Sequence, residues 1–217
     1  MAKINSVITT QDWGYDSLYP ILQDAFRVLY LSYLNLYSEK SDNPYKKPDN
    51  AKNWHLEDAI TDDLIKDEID FDKKHDYSLI PQFKNIKKKS RIDISIHYRM
   101  SFGKYYTIEI ECKQLKKSNL DYYISDGIQK FKTNKYAESL PLAGMMAYNI
   151  LDEIENNIDL LKTKIEQKIS VKETLKQFEI IENYPHTYFS KHERIHNSDI
   201  DLYTCAFDFK DAIEIKQ

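Results

Sequence analysis

Apolar residues recur every three or four positions in several stretches of the chain, which is the spacing of one face of an α-helix. Residues 16–40 carry the longest such stripe, and Pro20 is expected to break it early. Residues 54–69 and 153–168 repeat the pattern, and residues 119–139 follow it after a Ser or Asn cap. The spacing therefore predicts helices in these segments.

Alternation of apolar and polar residues predicts strands elsewhere. Residues 91–100 alternate isoleucine with polar side chains, and residues 106–115 follow after a turn at 101–104, so the two form a predicted hairpin or meander. Residues 174–181 fit a helix or a strand, and residues 41–50 are a turn-rich linker. Further strands are predicted at 142–151, 184–195 and 199–209.

The order of these elements predicts an α/β fold in which helices flank a mixed central β-sheet and an N-terminal helix precedes it. The chain has 217 residues, of which 41% are hydrophobic and 30% charged, and this suits one domain of moderate size. We expect a single domain over residues 1–217. Its expected parts are an N-terminal helical extension at 1–50, a core at 54–150, and a helix with C-terminal strands at 151–217.

The predicted strand at 106–115 carries three charged side chains, Glu109, Glu111 and Lys113, at steps of two residues. Side chains alternate between the faces of a strand, so all three share one face. Asp93 lies on the polar face of the preceding strand, and a hairpin would bring it beside Glu111. Two carboxylates suit Mg²⁺ or Mn²⁺, and a neighbouring lysine can orient and help deprotonate an attacking water. The pattern favours phosphodiester hydrolysis.

Asp93 and the run Glu111-Cys112-Lys113 resemble the motif of the PD-(D/E)xK, or restriction-endonuclease-like, nuclease superfamily. The resemblance extends in order over residues 54–148. Glu57 lies on the helix before the core, where many members place a further acidic residue. A helix at 125–137 and a strand at 142–148 follow the lysine, as they do in the family.

This resemblance implies a restriction-endonuclease-like core and a nuclease that depends on Mg²⁺ or Mn²⁺, with DNA as the expected substrate. It implies that Asp93, Glu111 and Glu57 hold metal ions and that these acids act in catalysis together with Lys113. Bacterial defence or restriction is the implied setting. The alternative is a catalytically inactive nuclease-like subunit that binds nucleic acid or a partner protein in a larger complex.

Other interpretations of the motif remain open at this point. Ile92 stands where the signature has a proline, as in many relatives, and Glu109 takes the role of Glu111 if the strand register is shifted. A simpler interpretation treats Glu109, Glu111 and Lys113 as cross-strand ion pairs on a solvent-exposed face.

Basic residues cluster in sequence on both sides of the proposed metal-binding residues, and we expect them to contact phosphate groups. Gln129 joins them because related nucleases often place a polar residue on this helix. A solvated, lysine-rich surface is the alternative, and for any single lysine it is the simpler one. The candidates are Lys84, Lys87, Lys88, Lys89, Arg91, Gln129, Lys130, Lys132 and Lys135.

The overall composition restricts partners and compartment. The net charge of −4 means that any nucleic-acid surface is a local patch. Cys112 and Cys205 show neither metal-ligand spacing nor disulfide density, and the start of the chain lacks the apolar core of a signal peptide. We therefore expect a cytoplasmic protein without a membrane partner. In the setting that the family resemblance implies, it would act as a homodimer or as a partner subunit of a defence complex.

Residues 192–196, HERIH, match the zinc-peptidase pattern, but that chemistry requires a helix. The surrounding residues favour a strand, so we interpret the match as chance. In extended form Ser190, His192 and Arg194 share one face. That face either contacts nucleic acid or a partner, or is an ordinary polar surface.

Overall fold

The apolar stripe near the start of the chain forms one long helix. The computed structural model describes residues 15–48, 55–66, 77–81, 84–85, 90–99, 105–194 and 198–214. Helix α1 spans Tyr15–Asp42 and helix α2 spans Leu56–Lys66, which confirms both predicted helices over the described residues. The predicted early break is wrong, since Pro20 lies inside α1. There it removes a single backbone donor close to the helix start.

The strands form one mixed sheet of seven strands in the order β1-β4-β5-β6-β9-β8-β7, while β2 and β3 pair separately. β6 pairs in parallel with both β5 and β9, and the remaining pairs are antiparallel. The prediction of a mixed sheet is confirmed. The strands are β1 Tyr77–Pro81, β2 Lys84–Asn85, β3 Ser90–Arg91, β4 Ile94–Arg99, β5 Tyr105–Leu115, β6 Leu142–Asn149, β7 Glu173–Gln177, β8 Thr187–His192 and β9 Ile200–Asp208.

Two edge strands go beyond the predicted set. β1 was not foreseen from the alternation, and it pairs with β4 at one edge of the sheet. The ambiguous segment 174–181 contributes β7, which pairs with β8 at the other edge. The turn predicted at 101–104 lies outside the described residues.

The segment after β5 is helical, but it is shorter and less regular than its pattern predicts. The predicted continuation to residue 139 is wrong, because Asn134 and Ala137 have positive φ angles of 58° and 47°. Left-handed backbone of this kind ends a helix. The segment consists of a 3₁₀ turn at Lys117–Asn119, α3 at Leu120–Tyr123, a π-helical turn at Ile124–Ile128 and α4 at Gln129–Lys132.

Helices cover both faces of the sheet. Neighbouring residues of a strand point to opposite faces, so Gly144 and Met145 of β6 mark the two. A Cβ atom built on Gly144 would lie 3.0 Å from Cζ of Phe26 in α1, whereas one built on Gly127 in the π-helical turn would lie 2.9 Å from Cε of Met145. Helix α1 therefore packs on one face and the π-helical turn on the other.

A common hydrophobic core joins the predicted parts of the chain. Its buried cluster includes Phe26 of α1, Ile110 of β5 and Phe207 of β9. Helix α5, Ile154–Lys168, forms as predicted and contributes Leu161 to the same cluster. Within the described ranges, no helix combines the length and the apolar character that crossing a membrane requires.

Candidate active site

The candidate site lies where strand β5 extends beyond its neighbour β4. The last residue of β5 that pairs with β4 is Ile110, whereas the pairing with β6 continues to Leu115. Beyond that point two acidic side chains take the place of the strand partner. The backbone N–H of Cys112 donates to Asp93 Oδ2 at 2.8 Å, and the N–H of Gln114 donates to Glu57 Oε2 at 3.1 Å.

Lys113 lies at the centre of this group. Its Nζ atom is 2.8 Å from Glu111 Oε1, 3.1 Å from Glu57 Oε1 and 3.6 Å from Asp93 Oδ2. The structure therefore brings together all four residues that the sequence predicts for the site.

The face that carries these residues is buried. The side chains of Glu111 and Lys113 are 2% and 3% exposed. The interpretation as ion pairs on a solvent-exposed face is therefore wrong. Taking so many charges out of water is expensive unless they are paired, and such burial is more typical of functional sites than of surface strands.

Asp126 and Lys130 complete the group. Lys130 was expected only as a phosphate contact, and Asp126 was not predicted for the site. Lys130 Nζ lies 2.8 Å from Asp126 Oδ1 and 3.3 Å from Glu111 Oε1. Asp126 Oδ2 is also 3.9 Å from Lys113 Nζ. The only hint in the sequence is the four-residue spacing of an acid and a lysine on a helix, which is common on protein surfaces.

The pKa values of the site reflect burial and the crowding of carboxylates. Burial raises the pKa of Glu111 to about 8, and the neighbouring Asp93 carboxylate adds to the rise. Burial also raises the pKa of Glu57. Burial by itself would lower the pKa of Lys113, but the carboxylates of Glu111, Asp93 and Glu57 raise it above its ordinary value. A cation bound beside Glu111 would stabilise the ionised form of its carboxylate and so lower the pKa of Glu111.

These residues line a cleft of about 440 Å³. Asp58 also lines it, so five acidic side chains face Lys113 and Lys130. When all are ionised, three negative charges are in excess. A divalent cation is the kind of ligand that such a lining attracts.

The residues present fit a small oxygen-liganded cation. Glu111 Oε2 is buried and has no hydrogen-bond partner among the described residues. A buried carboxylate oxygen without a partner is a costly feature, and a metal ion would satisfy it. No three His, Cys, Asp or Glu side chains of the described residues are arranged to hold a metal by themselves. Mg²⁺ needs only one or two carboxylates, because water and phosphate oxygens supply its other ligands.

The remaining predicted residues lie elsewhere or outside the described residues. Glu109 Oε2 accepts a hydrogen bond from the Ala137 N–H at 2.6 Å and does not line the cleft, so it does not replace Glu111. Gln129, Lys132 and Lys135 do not line the cleft either.

The ammonium group of Lys132 donates to the Ser170 carbonyl, and Lys135 is exposed. Arg91 belongs to β3, but its side chain is not among the parts that the structure describes. Lys87, Lys88 and Lys89 lie outside the described residues. Their contact with nucleic acid stays a prediction.

The described part of the zinc-peptidase pattern, residues 192–194, contains no helix. His192 lies in strand β8, where its Nε2 is 2.9 Å from Ser190 Oγ. Ser190, His192 and Arg194 are all buried, so the predicted contact face for nucleic acid or a partner is wrong. Arg194 instead donates to backbone carbonyls of the loop after α4, at Ala137, Glu138 and Leu140.

No protein-family model, curated protein or solved structure matches the chain. The function is therefore inferred from the chemistry of the cleft. The cleft contains two carboxylates that accept backbone hydrogen bonds, those of Asp93 and Glu57. It also contains Glu111, which has an oxygen without a partner among the described residues, and Lys113, which contacts all three carboxylates.

Proposed function

We propose that the chain is a nuclease of the PD-(D/E)xK type that depends on Mg²⁺ or Mn²⁺ and hydrolyses phosphodiester bonds of nucleic acid, with DNA as the expected substrate. One observation carries the proposal. Asp93, in the bend before β4, and Glu111, in β5, contact the same Lys113 ammonium group at 3.6 and 2.8 Å, and Glu111 keeps a buried oxygen without a partner among the described residues.

The order of elements around the cleft supports the proposal. Helix α2 carries Glu57, Asp93 directly precedes β4, and β5 carries Glu111 and Lys113. A helical segment then leads to β6, which pairs in parallel with β5. This is the order that the resemblance to the superfamily implies. A fold alone does not fix a function, so the side chains of the cleft carry more weight.

Asp93 and Glu111 would hold the metal ion, with Glu57 beside them. When bound, a divalent ion of this kind activates water and offsets charge on a phosphate group. The protein supplies the rest by fixing its carboxylates before substrate arrives. Hydrogen bonds from the β5 backbone to Asp93 and Glu57 do this without relying on flexible side chains.

Lys113 would orient the attacking water and stabilise negative charge on the phosphate. Its pKa is raised by the surrounding carboxylates, so the amine stays protonated at neutral pH. A protonated amine donates hydrogen bonds and does not accept the proton of the water, which would pass to the neighbouring carboxylate of Glu57, 3.1 Å from the amine. Lys113 therefore acts as a hydrogen-bond donor and a positive charge in this scheme. Lys130, which contacts the same Glu111 oxygen, adds a second positive charge.

The test compares the wild type with Lys113→Ala and Glu111→Gln on plasmid, linear duplex, single-stranded DNA and RNA. Each substrate is incubated with Mn²⁺ and with chelator. Lys210→Ala is the control variant, because Lys210 pairs with Glu153 at 2.9 Å and does not line the cleft. We expect the wild type and Lys210→Ala to cleave with Mn²⁺ and not with chelator. The two cleft variants should not cleave under either condition.

Equal behaviour of the wild type and both cleft variants on every substrate would overturn the proposed activity. The alternative, a catalytically inactive nuclease-like subunit, would then be favoured, because the same ion pairs can be present in a protein that catalyses no reaction. A role in bacterial defence, as a homodimer or with a partner subunit, stays a prediction in either case.

A further inference from the structure

An aromatic side chain is exposed at the proposed active site. Tyr122 lines the cleft, and it is 48% exposed. Within the described ranges, the other large apolar side chains with comparable exposure are leucines outside the cleft. Exposed aromatic rings beside a polar site are typical of ligand contacts, because a flat ring offers a large apolar face to the solvent.

The π-helical turn explains why this ring faces the cleft. Tyr122, Asp126 and Lys130 follow each other at steps of four residues, and all three line the cleft. In a regular α-helix, each step of four residues rotates a side chain by about 40° relative to the one before. The wider turn at Ile124–Ile128 reduces this rotation, so the three side chains stay on one line. Turns of this kind are frequent at functional sites.

Gly127 allows the π-helical turn to lie close to the sheet. A Cβ atom there would be 2.9 Å from Met145 Cε and 3.5 Å from Lys113 Cγ. The row of Tyr122, Asp126 and Lys130 therefore stands directly beside the stem of Lys113.

The ring of Tyr122 lies among the charged groups of the cleft. Burial raises the pKa of its hydroxyl group to about 12, and the nearby Asp126 carboxylate adds to the rise. The centroid of the ring is 5.7 Å from Lys113 Nζ, the amine that the proposed function places beside the reacting phosphate.

We infer that Tyr122 stacks on an unpaired nucleobase next to the phosphate that is cut, so that the cleft takes single-stranded nucleic acid or unpaired ends. Every base has a flat face that an aromatic side chain can cover, and such stacking tolerates any sequence. A base inside a duplex already has both faces covered, so it would have to be flipped out first. The inference rests on the proposed function for the position of the phosphate, but stacking can be measured without cleavage.

The test uses a short single-stranded DNA that contains 2-aminopurine, a fluorescent base that is quenched when it stacks. The same sequence as RNA and as a DNA duplex provides the comparison, with Ca²⁺ present and with intact oligonucleotide verified on a gel. The variants are Tyr122→Phe, which keeps the ring, and Tyr122→Leu, which removes it. Leu160→Ala in α5, 39% exposed and outside the cleft, is the matched control.

We expect quenching with the wild type, with Tyr122→Phe and with Leu160→Ala. Tyr122→Leu should abolish it and weaken single-strand binding about tenfold, the usual scale of one base–aromatic stack. The duplex should bind more weakly than either single strand, and the tighter of DNA and RNA identifies the substrate. Because Tyr122 is exposed, thermal unfolding of Tyr122→Leu should match that of the wild type.

The outcomes separate this inference from the proposed function. Equal quenching and affinity for the wild type and Tyr122→Leu, with metal-dependent cleavage present, would overturn the stacking role and leave the nuclease intact. Quenching that depends on Tyr122, without cleavage in the presence of any metal ion, would overturn the proposed nuclease activity and support the binding role of Tyr122. Preferential binding of the duplex would also overturn the inference.

Discussion

The Asp93 carboxylate accepts a hydrogen bond from the backbone N–H of Cys112 at 2.8 Å, just before the first residue of β4, where β5 continues without a strand partner on that side. Glu57 makes the same kind of bond with the N–H of Gln114, two residues further along β5. Successive N–H groups on one side of a strand normally meet a neighbouring strand. Here they meet carboxylates, so the backbone fixes two of the proposed catalytic acids independently of Lys113.

Lys113→Met and Glu111→Gln should affect metal binding differently. The Lys113 ammonium lies within 4 Å of the carboxylates of Glu57, Asp93 and Glu111, and it competes with a metal ion for them. Its removal should leave Mn²⁺ affinity unchanged or increase it, while cleavage is lost. Glu111→Gln should weaken Mn²⁺ binding by about tenfold or more, since even an outer partner of a metal ligand contributes that much. Calorimetric titration measures both. Tighter binding by Glu111→Gln than by Lys113→Met would contradict the assignment of roles.

The stability of the protein should fall at acid pH because of His192. Burial lowers the pKa of His192 to about 3, and Lys132 adds to the effect. The unfolded chain has a pKa near 6.5 for this group, so it binds the proton first as the pH falls. The contribution of neutral His192 to the free energy of unfolding is fully present above about pH 6.5. It is lost as the pH falls towards 3, by up to about 1.4 kcal/mol per pH unit.

The comparison for His192 is His192→Gln, whose amide can still bond Ser190. Thermal unfolding between pH 4 and pH 7 should depend less on pH in the variant than in the wild type. Identical pH profiles of the two proteins would show that His192 is not the group responsible.

Arg194 should be important for stability although it does not line the cleft. It is buried, and it donates to the carbonyls of Ala137, Glu138 and Leu140 at 2.8, 3.3 and 3.1 Å. Arg194→Met leaves these acceptors without that donor and should lower the free energy of unfolding by about 3 kcal/mol. Denaturant unfolding measures the change. Lys191→Met, which breaks a more exposed pair with Asp201, should cost less than about 1 kcal/mol, and an equal cost would contradict this account.

Two glycines should respond differently to alanine. A Cβ atom on Gly144 would meet Ile110 Cγ1 at 2.7 Å and Phe26 Cζ at 3.0 Å, and neither neighbour can move easily. Gly144→Ala should therefore lower the free energy of unfolding by about 1–3 kcal/mol. Gly127→Ala mainly displaces the flexible end of Met145, so its cost should be smaller. Denaturant unfolding of both variants checks this, and a larger loss in Gly127→Ala would contradict the packing described.

The pairing of β4 with β5 and the meeting of Asp93 with Glu111 were predictable from the sequence. Alternation at a period of two residues places acids on one face, and antiparallel pairing of consecutive strands brings the two faces together. Hydrophobic periodicity also located α1, α2, α5 and β6. These features depend on neighbours in the chain, which a sequence pattern records directly.

Features that depend on distant contacts were not predictable. The extension of β5 beyond β4 depends on where the strand pairing ends, and the π-helical turn depends on the close approach of Gly127 to Met145. Asp126 lies within that turn and lines the cleft. Alternation correctly placed Ser190 and His192 side by side in β8, but the pattern could not show that these residues and Arg194 would be buried.

The most direct test of the central claim is a crystal of the protein with Mn²⁺, examined for anomalous scattering at the manganese edge. We predict a peak between the carboxylates of Asp93 and Glu111, with Lys113 beside it, and a weaker peak in Glu111→Gln at the same Mn²⁺ concentration. A wild-type crystal without a peak in the cleft, in which Lys113 keeps its contact with Glu111 at saturating Mn²⁺, would contradict it.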